Sequence, residues 1–150
     1  MSRRDGFTLM EMLIVIVVIS AVSLISVPSI RSAKLKSELR SSRTAVAGMY
    51  ARARSAAIQY NRSTIVAFNG ASVAVLATPR LVAAAGSTVD TIGRVNNLGV
   101  AYGVTVASTS DSLRVDPRGF GANTAAVTVR LTRAEFTDSV VIGAFGRLTQ

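Results

Sequence analysis

Residues 6–20, "GFTLMEMLIVIVVIS", form an apolar run that contains one acidic residue, Glu11. A charged side chain at the centre of a bilayer costs about 2.5–3.5 kcal/mol on insertion scales, so such a group is normally paired or functional. The sequence therefore raises the question of what pairs with Glu11.

The apolar run extends well beyond this stretch. From Phe7 to Val27 there are 21 residues, and Glu11 is the one charged residue among them. A helix of that length spans about 31 Å, close to the ~30 Å hydrocarbon core of a bilayer. We predict a membrane-spanning helix over residues 7–28, bent or loosened at Pro28 because proline removes a helical hydrogen bond.

Two simpler interpretations of the N-terminus remain open on pattern alone. The first is a secretory signal peptide, with Arg3 and Arg4 as its basic region. The length of the apolar run, the acids Asp5 and Glu11, and the lack of a small-x-small cleavage site all weigh against it. The second is an ordinary membrane anchor, which leaves Glu11 without an explanation.

Residues 3–13, "RRDGFTLMEML", resemble the class III signal of type IV pilins and type II secretion pseudopilins. That signal has a short basic leader ending in Gly, followed by Phe-Thr-Leu-aliphatic-Glu and an apolar helix; Met10 and Met12 replace the more usual aliphatic residues. The resemblance implies a leader over residues 1–6. It also implies that prepilin peptidase cuts between Gly6 and Phe7 and methylates the new Phe7 amine, and that Pro28 marks the family's helix kink.

The implied cleavage offers a partner for Glu11. It creates a cation at Phe7, about one helical turn before the acid. In a stack of parallel helices, the amine of one subunit can meet the carboxylate of its neighbour, so that two groups that are costly in lipid become a pair. The helix is then both an anchor and an assembly element. Retention of Glu11 also predicts a subunit that is not at the extreme tip of a filament.

Composition limits the chemistry of the chain. Lys and Arg number 17 against 8 Asp and Glu, a formal charge of +9, which favours lipid headgroups, nucleic acid or an acidic protein surface without choosing among them. The chain has no Cys and no His, which excludes disulfides and His- or Cys-based metal sites and nucleophiles. We predict a non-enzyme without a cofactor; an enzymatic alternative would rest on the scattered Asp90, Asp111 and Asp116.

Periodicity predicts the remaining elements. Residues 29–60 continue the helix, and their apolar face comprises Val46, Met49, Tyr50, Ala53, Ala57 and Tyr60. After Asn61 the pattern favours short strands, at 64–68, 73–76, 81–85, 100–106, 125–131 and 140–148, with a loop over 86–99. The predicted fold is α+β, with a long N-terminal helix, half transmembrane and half amphipathic, packed on an antiparallel β-sheet.

The C-terminal half carries a second resemblance. "LRVDPRGFGA" (113–122) and "VVIGAFGRL" (140–148) are similar to the GspH/FimT-type minor pseudopilin domain, in which a strand ends in a Pro-Arg-Gly-like turn and the chain closes on Gly-Arg. This implies a pilin-like periplasmic domain over residues 29–150 of a single-pass inner-membrane protein. The implied partners are prepilin peptidase, other pilins or pseudopilins, the inner-membrane assembly platform and membrane lipid. By the positive-inside rule the basic residues that follow the apolar run favour the opposite orientation.

Two functions follow from the resemblances. The first is a minor pseudopilin, a structural subunit of a type II secretion pseudopilus. The alternative is a FimT-like minor pilin that acts in pilus assembly and DNA uptake, with Arg118, Arg130, Arg133 and Arg147 as candidate contacts for DNA or a partner. Thr149 stands where the DNA motif has a second basic residue, and no aromatic residue alternates with these arginines to stack bases. A basic surface that meets partner subunits is therefore preferred. A membrane-anchored binding protein that never polymerises is a further alternative.

Overall fold

The computed structural model describes residues 7–78 and 89–149, and within them the side chains of residues 24–28 are not described. The elements, in chain order, are α1 (Leu9–Tyr60), β1 (Thr64–Asn69), β2 (Ser72–Ala77), β3 (Asp90–Thr91), β4 (Asn96–Asn97), α2 (Leu98–Tyr102), β5 (Thr105–Ser108), β6 (Ser112–Val115), β7 (Val127–Arg133), β8 (Phe136–Ile142) and β9 (Leu148–Thr149). One long helix followed by antiparallel strands confirms the predicted α+β class.

The chain divides into two compact units, Met1–Leu35 and Lys36–Gln150. In the first, α1 begins at a capped end: the Glu11 backbone N–H donates to the Thr8 hydroxyl oxygen at 3.2 Å. This contact satisfies one of the N–H groups that a helix N-terminus leaves without a partner. Glu11 also lies in the first turn, where the helix dipole favours a negative charge. The Phe-Thr-Leu-Met-Glu segment therefore specifies where the helix starts.

Two serines within the apolar run satisfy their own hydroxyls. Ser20 donates to the Ile16 carbonyl oxygen at 2.7 Å, and Ser23 donates to that of Ile19 at 2.8 Å. Such bonds to the preceding turn remove the need for water at these positions. Helix α1 runs on through Pro28, whose side chain is not among those described, so the kink stays a prediction.

The second unit contains two antiparallel sheets. Sheet A has the strand order β3-β2-β1-β6, with β4 also paired to β2, and sheet B has the order β5-β7-β8-β9. Inward and outward side chains alternate along β1, β2 and β7, as the period of two predicts. The predicted single sheet is therefore divided, because β5 pairs with β7 while the next strand, β6, pairs with β1.

One apolar core joins the helix to both sheets. Its members on α1 lie on one face of the helix and comprise Leu39, Val46, Met49, Tyr50, Ala53 and Ala57. Ala53 and Ala57 have no exposed surface, and their small side chains allow α1 to approach the strands closely. The strand members are mostly valine and leucine, so the core is built almost without aromatic residues. The amphipathic half of the helix is thus confirmed in its main positions.

Polar contacts fix the angle of this helix over the β7–β8 hairpin. Arg133 Nη2 lies 2.6 Å from Glu38 Oε2, and Arg43 Nη1 lies 3.3 Å from Asp138 Oδ2. Further out, the Lys36 ammonium lies 4.9 Å from the ring centre of Phe136. Partly exposed pairs of this kind add little stability, so their main effect is to orient the helix.

Two predictions for the strand region were wrong. The alternating segment 100–106 forms α2 and only then enters β5. The Asn97 side chain accepts a hydrogen bond from the Val100 N–H, and Gly103 ends the helix with a φ of 63°. These two caps outweigh the alternation of apolar residues. The segment 140–148 also breaks, because β8 ends at Ile142 and the chain turns before β9.

Three further expectations concern Tyr60, the predicted strand 81–85 and the predicted loop 86–99. Tyr60 was predicted to lie on the buried helix face, but it is 54% exposed, since α1 ends there and its face has nothing further to cover it. The predicted strand 81–85 lies outside the described residues. In the predicted loop 86–99, the described part contributes the two short strands β3 and β4 to sheet A.

Tyr50 is the largest polar side chain in the core. It is 2% exposed, and no residue in the described ranges forms a hydrogen bond with its hydroxyl. Burial raises the pKa of this phenol, and the positive charge of Arg54 offsets part of that rise. A buried hydroxyl without a hydrogen bond costs about 1–3 kcal/mol.

We predict that Tyr50→Phe leaves the free energy of unfolding unchanged or raises it by up to about 1 kcal/mol, because the ring stays and the buried hydroxyl goes. Because the pKa of Tyr50 is raised in the folded chain, the unfolded chain loses the phenolic proton at a lower pH than the folded chain does. The stability that Tyr50 contributes is therefore complete below a pH of about 10 and falls above it, and Tyr50→Phe removes this fall. Urea unfolding of the detergent-solubilised chain at neutral and alkaline pH measures both effects.

Tyr60→Phe is the matched control, since it removes the same hydroxyl from an exposed ring. A loss of more than about 1 kcal/mol in Tyr50→Phe at neutral pH would show that the hydroxyl is hydrogen-bonded after all.

Candidate functional site

The N-terminal part of α1 presents a continuous apolar surface. All side chains of residues 7–23 are exposed, among them Leu9 at 83%, Ile16 at 64% and Ile19 at 60%. Contiguous apolar surface on this scale marks a site of contact with another protein or with a membrane. Across residues 7–78 and 89–149, no helix qualifies by its length and hydropathy as a candidate for crossing a membrane.

Glu11 lies inside this apolar surface. Its side chain is exposed, and in the described part of the chain it forms no salt bridge. Phe7, four positions earlier, is 73% exposed just before the helix begins. Gly6 lies outside the described residues. The geometry thus leaves the Glu11 carboxylate open to a cation from outside the chain.

A second candidate site lies on two adjoining turns, 116–121 and 143–147, called here the paired turns. Within the first turn, the Asp116 carboxylate accepts hydrogen bonds from the Arg118 N–H at 3.0 Å and the Phe120 N–H at 2.8 Å. The Gly121 N–H then donates to the Phe145 carbonyl oxygen at 3.0 Å, which joins the first turn to the second. The Asp116 side chain therefore holds the first turn, and a backbone hydrogen bond joins it to the second.

Glycines make this close approach possible. A Cβ atom on Gly146, whose φ is 91°, would meet the Tyr50 hydroxyl and would lie 2.9 Å from the Gly121 nitrogen. Gly119, with a φ of 82°, lies against α1: a Cβ there would be 2.8 Å from Ile58 Cδ1. The Arg54 Nε–H also donates to the Gly119 carbonyl oxygen at 2.8 Å. The first turn is thus bonded to α1, and the second lies close to it.

The structure separates the four arginines that the sequence grouped. Arg118 and Arg147 are exposed on the paired turns. Arg133 is bound to Glu38 and donates to the Tyr102 carbonyl oxygen. Arg130 pairs with Ser139 on β8. Along β8, Ser139 lies three residues, about 10 Å, from Ile142, which pairs with the first residue of β9.

Arg114, an exposed arginine that is not among the four predicted candidates, lies beside the paired turns. Its backbone N–H donates to the Asn123 side-chain oxygen at 2.9 Å, and the Ala122 N–H donates to its carbonyl oxygen. A signal existed, since Arg114 precedes the Pro-Arg-Gly turn by three residues, but only the folded chain shows that the two are adjacent.

The acids considered for an enzymatic role do not assemble. Asp90 is on β3, Asp111 is in the turn before β6, and the Asp116 carboxylate is occupied by the turn backbone. Within the described residues, no group of three or more acidic side chains is placed to hold a metal ion. These positions offer no acid–base pair.

The comparisons with known proteins address both parts of the chain. Residues 1–27 match the family model of the prokaryotic N-terminal methylation motif. The fold matches a crystal structure of the Pseudomonas aeruginosa (strain PAO1) type IV minor pilin FimU, with a TM-score of 0.57 and 20% identity over 76% of this chain and 88% of that one. The chain has the fold of a type IV pilin.

A second crystal form of FimU gives the same result for the pilin-like fold, with a TM-score of 0.54 and 16% identity over 74% of this chain and 90% of that one. No curated protein matches the chain. The expected pilin-like character is therefore confirmed by two separate findings, a motif at the N-terminus and a fold over most of the chain.

We predict that Gly146→Ala destabilises this pilin-like domain by about 2–4 kcal/mol, since the added methyl group is strained at positive φ and collides with Tyr50 and Gly121. Gly70→Ala is the matched control. Gly70 also has a positive φ, 57°, but its Cβ would meet nothing within 4 Å, so it reports the backbone strain alone, about 1–2 kcal/mol. Equal losses in urea unfolding for the two variants would contradict the close approach.

Proposed function

We propose that the chain is a minor, structural subunit of a filament of the type IV pilin class, anchored in the inner membrane with its C-terminal domain in the periplasm. The observation that carries this proposal is the apolar surface of residues 7–23, whose side chains are exposed and which contains Glu11. The methylation motif and the pilin fold support the same role.

The proposed maturation follows from the motif. Prepilin peptidase removes residues 1–6 by cutting after Gly6 and methylates the Phe7 amine. Methylation of an amine retains its positive charge. The mature chain therefore begins with a cation that immediately precedes a capped helix. That placement is unfavourable within one chain, because the N-terminal end of a helix dipole is itself positive.

Assembly relieves this cost. In a bundle of parallel helices, the Phe7 amine of one subunit meets the Glu11 carboxylate of a neighbour, while the apolar side chains around them pack against each other. Each charge is costly in lipid without a partner, and the pair is less so. Membrane lipid covers the same surface before assembly, and the inner-membrane assembly platform draws subunits from lipid into the fibre.

Two machines use subunits of this kind, the type IV pilus and the type II secretion pseudopilus. The similarity to FimU, which is a type IV minor pilin, favours the pilus.

In a strain that lacks the chain, the pilus assignment predicts fewer surface pili with secretion of proteins intact. The pseudopilus assignment predicts the reverse.

We predict that Glu11→Ala leaves leader cleavage and membrane fractionation intact but lowers incorporation into filaments at least tenfold, because the intersubunit ion pair is lost. Immunoblots of sheared filaments and of membrane fractions measure the two pools. Glu135→Ala is the matched control: it removes an exposed carboxylate from the turn between β7 and β8.

Normal incorporation of Glu11→Ala would contradict the pairing, whereas absence of the unsubstituted chain from sheared filaments would favour a membrane-anchored protein that does not polymerise. Glu11→Gln distinguishes charge from shape, since it keeps the side-chain volume. On the ion-pair account it fails as Glu11→Ala does.

A further inference from the structure

The paired turns expose apolar and basic side chains together. Phe145 is 85% exposed and Phe120 is 57% exposed, and the adjacent helix residue Ile58 is 58% exposed. Arg118 and Arg147 are also exposed, and each is two positions from one of the phenylalanines in sequence. We call these five residues the arginine–phenylalanine surface. Large apolar side chains that cluster at the surface mark contact sites, and arginine and aromatic residues are enriched at the centres of such sites.

Hydrogen bonds hold the backbone of this surface. The Asp116 carboxylate, the Gly121–Phe145 hydrogen bond and the Arg54–Gly119 hydrogen bond hold the loops that carry both phenylalanines. A contact built on a preorganised surface loses less conformational entropy on binding than one built on a mobile loop. Phe120 and Phe145 are thus exposed on turns whose backbone is held by hydrogen bonds.

A cleft beside the turns extends the positive charge. Its volume is about 540 Å³, and it is lined by Arg114 together with hydroxyl and amide side chains that include Ser112, Asn123 and Thr124. No carboxylate lines it, and the one acid of the paired turns, Asp116, has an oxygen that already accepts two backbone hydrogen bonds. The cleft and the turns together present three exposed arginines, Arg114, Arg118 and Arg147.

The charge of the chain selects the kind of partner. A second copy carries the same +9, and two of its acids, Glu38 and Asp138, are already paired with Arg133 and Arg43. A nucleic acid fits less well: Phe120 and Phe145 offer ring faces for base stacking, but three arginines form only a short track for phosphates. A protein surface that combines carboxylates with an apolar pocket matches both features.

We propose that the arginine–phenylalanine surface binds an acidic protein subunit of different sequence, with Phe145 and Phe120 inserted in an apolar pocket and with Arg114, Arg118 and Arg147 facing carboxylates. The choice of a subunit as partner rests on the proposed filament function. The surface itself does not depend on Glu11 or on the N-terminal helix.

The test is direct binding with purified proteins. The mature full-length chain in detergent is titrated with each of the other pilin-class subunits of the same cell, and separately with a single-stranded oligothymidylate of about 20 nucleotides. We expect binding to a subunit of net negative charge. Phe145→Ser and Arg147→Glu each raise the dissociation constant at least tenfold.

Two substitutions outside the arginine–phenylalanine surface are the matched controls. Val100→Ser removes an apolar side chain that is 84% exposed on α2, and Arg130→Glu reverses an exposed charge on β7; neither changes the affinity. Glu11→Ala also binds normally, so a failure of the filament proposal is seen separately from a failure of this one.

Three results would overturn the inference. The first is an affinity for the acidic subunit that Phe145→Ser and Arg147→Glu leave unchanged, or no binding to any acidic subunit. The second is binding to oligothymidylate alone, weakened by the same two substitutions, which would make the surface a nucleic-acid site. The third is self-association of the chain that Phe145→Ser abolishes, which would make the partner a second copy.

Discussion

One helix has to satisfy two different environments, and the rest of the molecule follows from that constraint. Along residues 7–23 its apolar side chains point in every direction and are exposed, whereas between Leu39 and Ala57 only one face is apolar and that face is buried. An apolar surface on all sides cannot remain in water, because its exposure costs roughly 25 cal/mol per Å². The first part of α1 therefore requires lipid or other helices, and the second part provides the core of the globular unit.

The globular unit shows how close backbone contacts position a surface. Gly119 allows the first of the paired turns to approach Ile58, and Gly146 allows the second to approach Tyr50 and Gly121. In each turn a glycine lies against a helix side chain, Ile58 or Tyr50, while the nearby Phe120 or Phe145 is exposed.

The sequence predicts those features that depend on local pattern. The helix to Tyr60, the β1–β2 hairpin with its Asn69-Gly70 turn, and the central part of β7 follow from periodicity and turn residues. The alternation of Val100, Tyr102, Val104 and Val106 was misleading, because a short capped helix can carry the same pattern. Asn97 and Gly103 were the available signals against a strand there.

Features that depend on distant residues were not predictable in this way. Nothing local indicates that Arg133 contacts Glu38, or that Gly121 meets Phe145, since these pairs form only when the strands and turns assemble. The four arginines of the candidate site are an example. Four arginines that looked alike in the sequence have different surroundings in the fold, and only Arg118 and Arg147 share a surface, to which Arg114 is added.

The proposed ion pair between a cation at Phe7 and Glu11 of a neighbouring subunit requires that the mature chain begin at Phe7. Mass spectrometry of the chain purified from membranes identifies this first residue. We expect an N-terminal peptide that begins with methylated phenylalanine and lacks residues 1–6. A mature chain that retains the leader, or that begins at any other residue, would contradict the proposed ion pair.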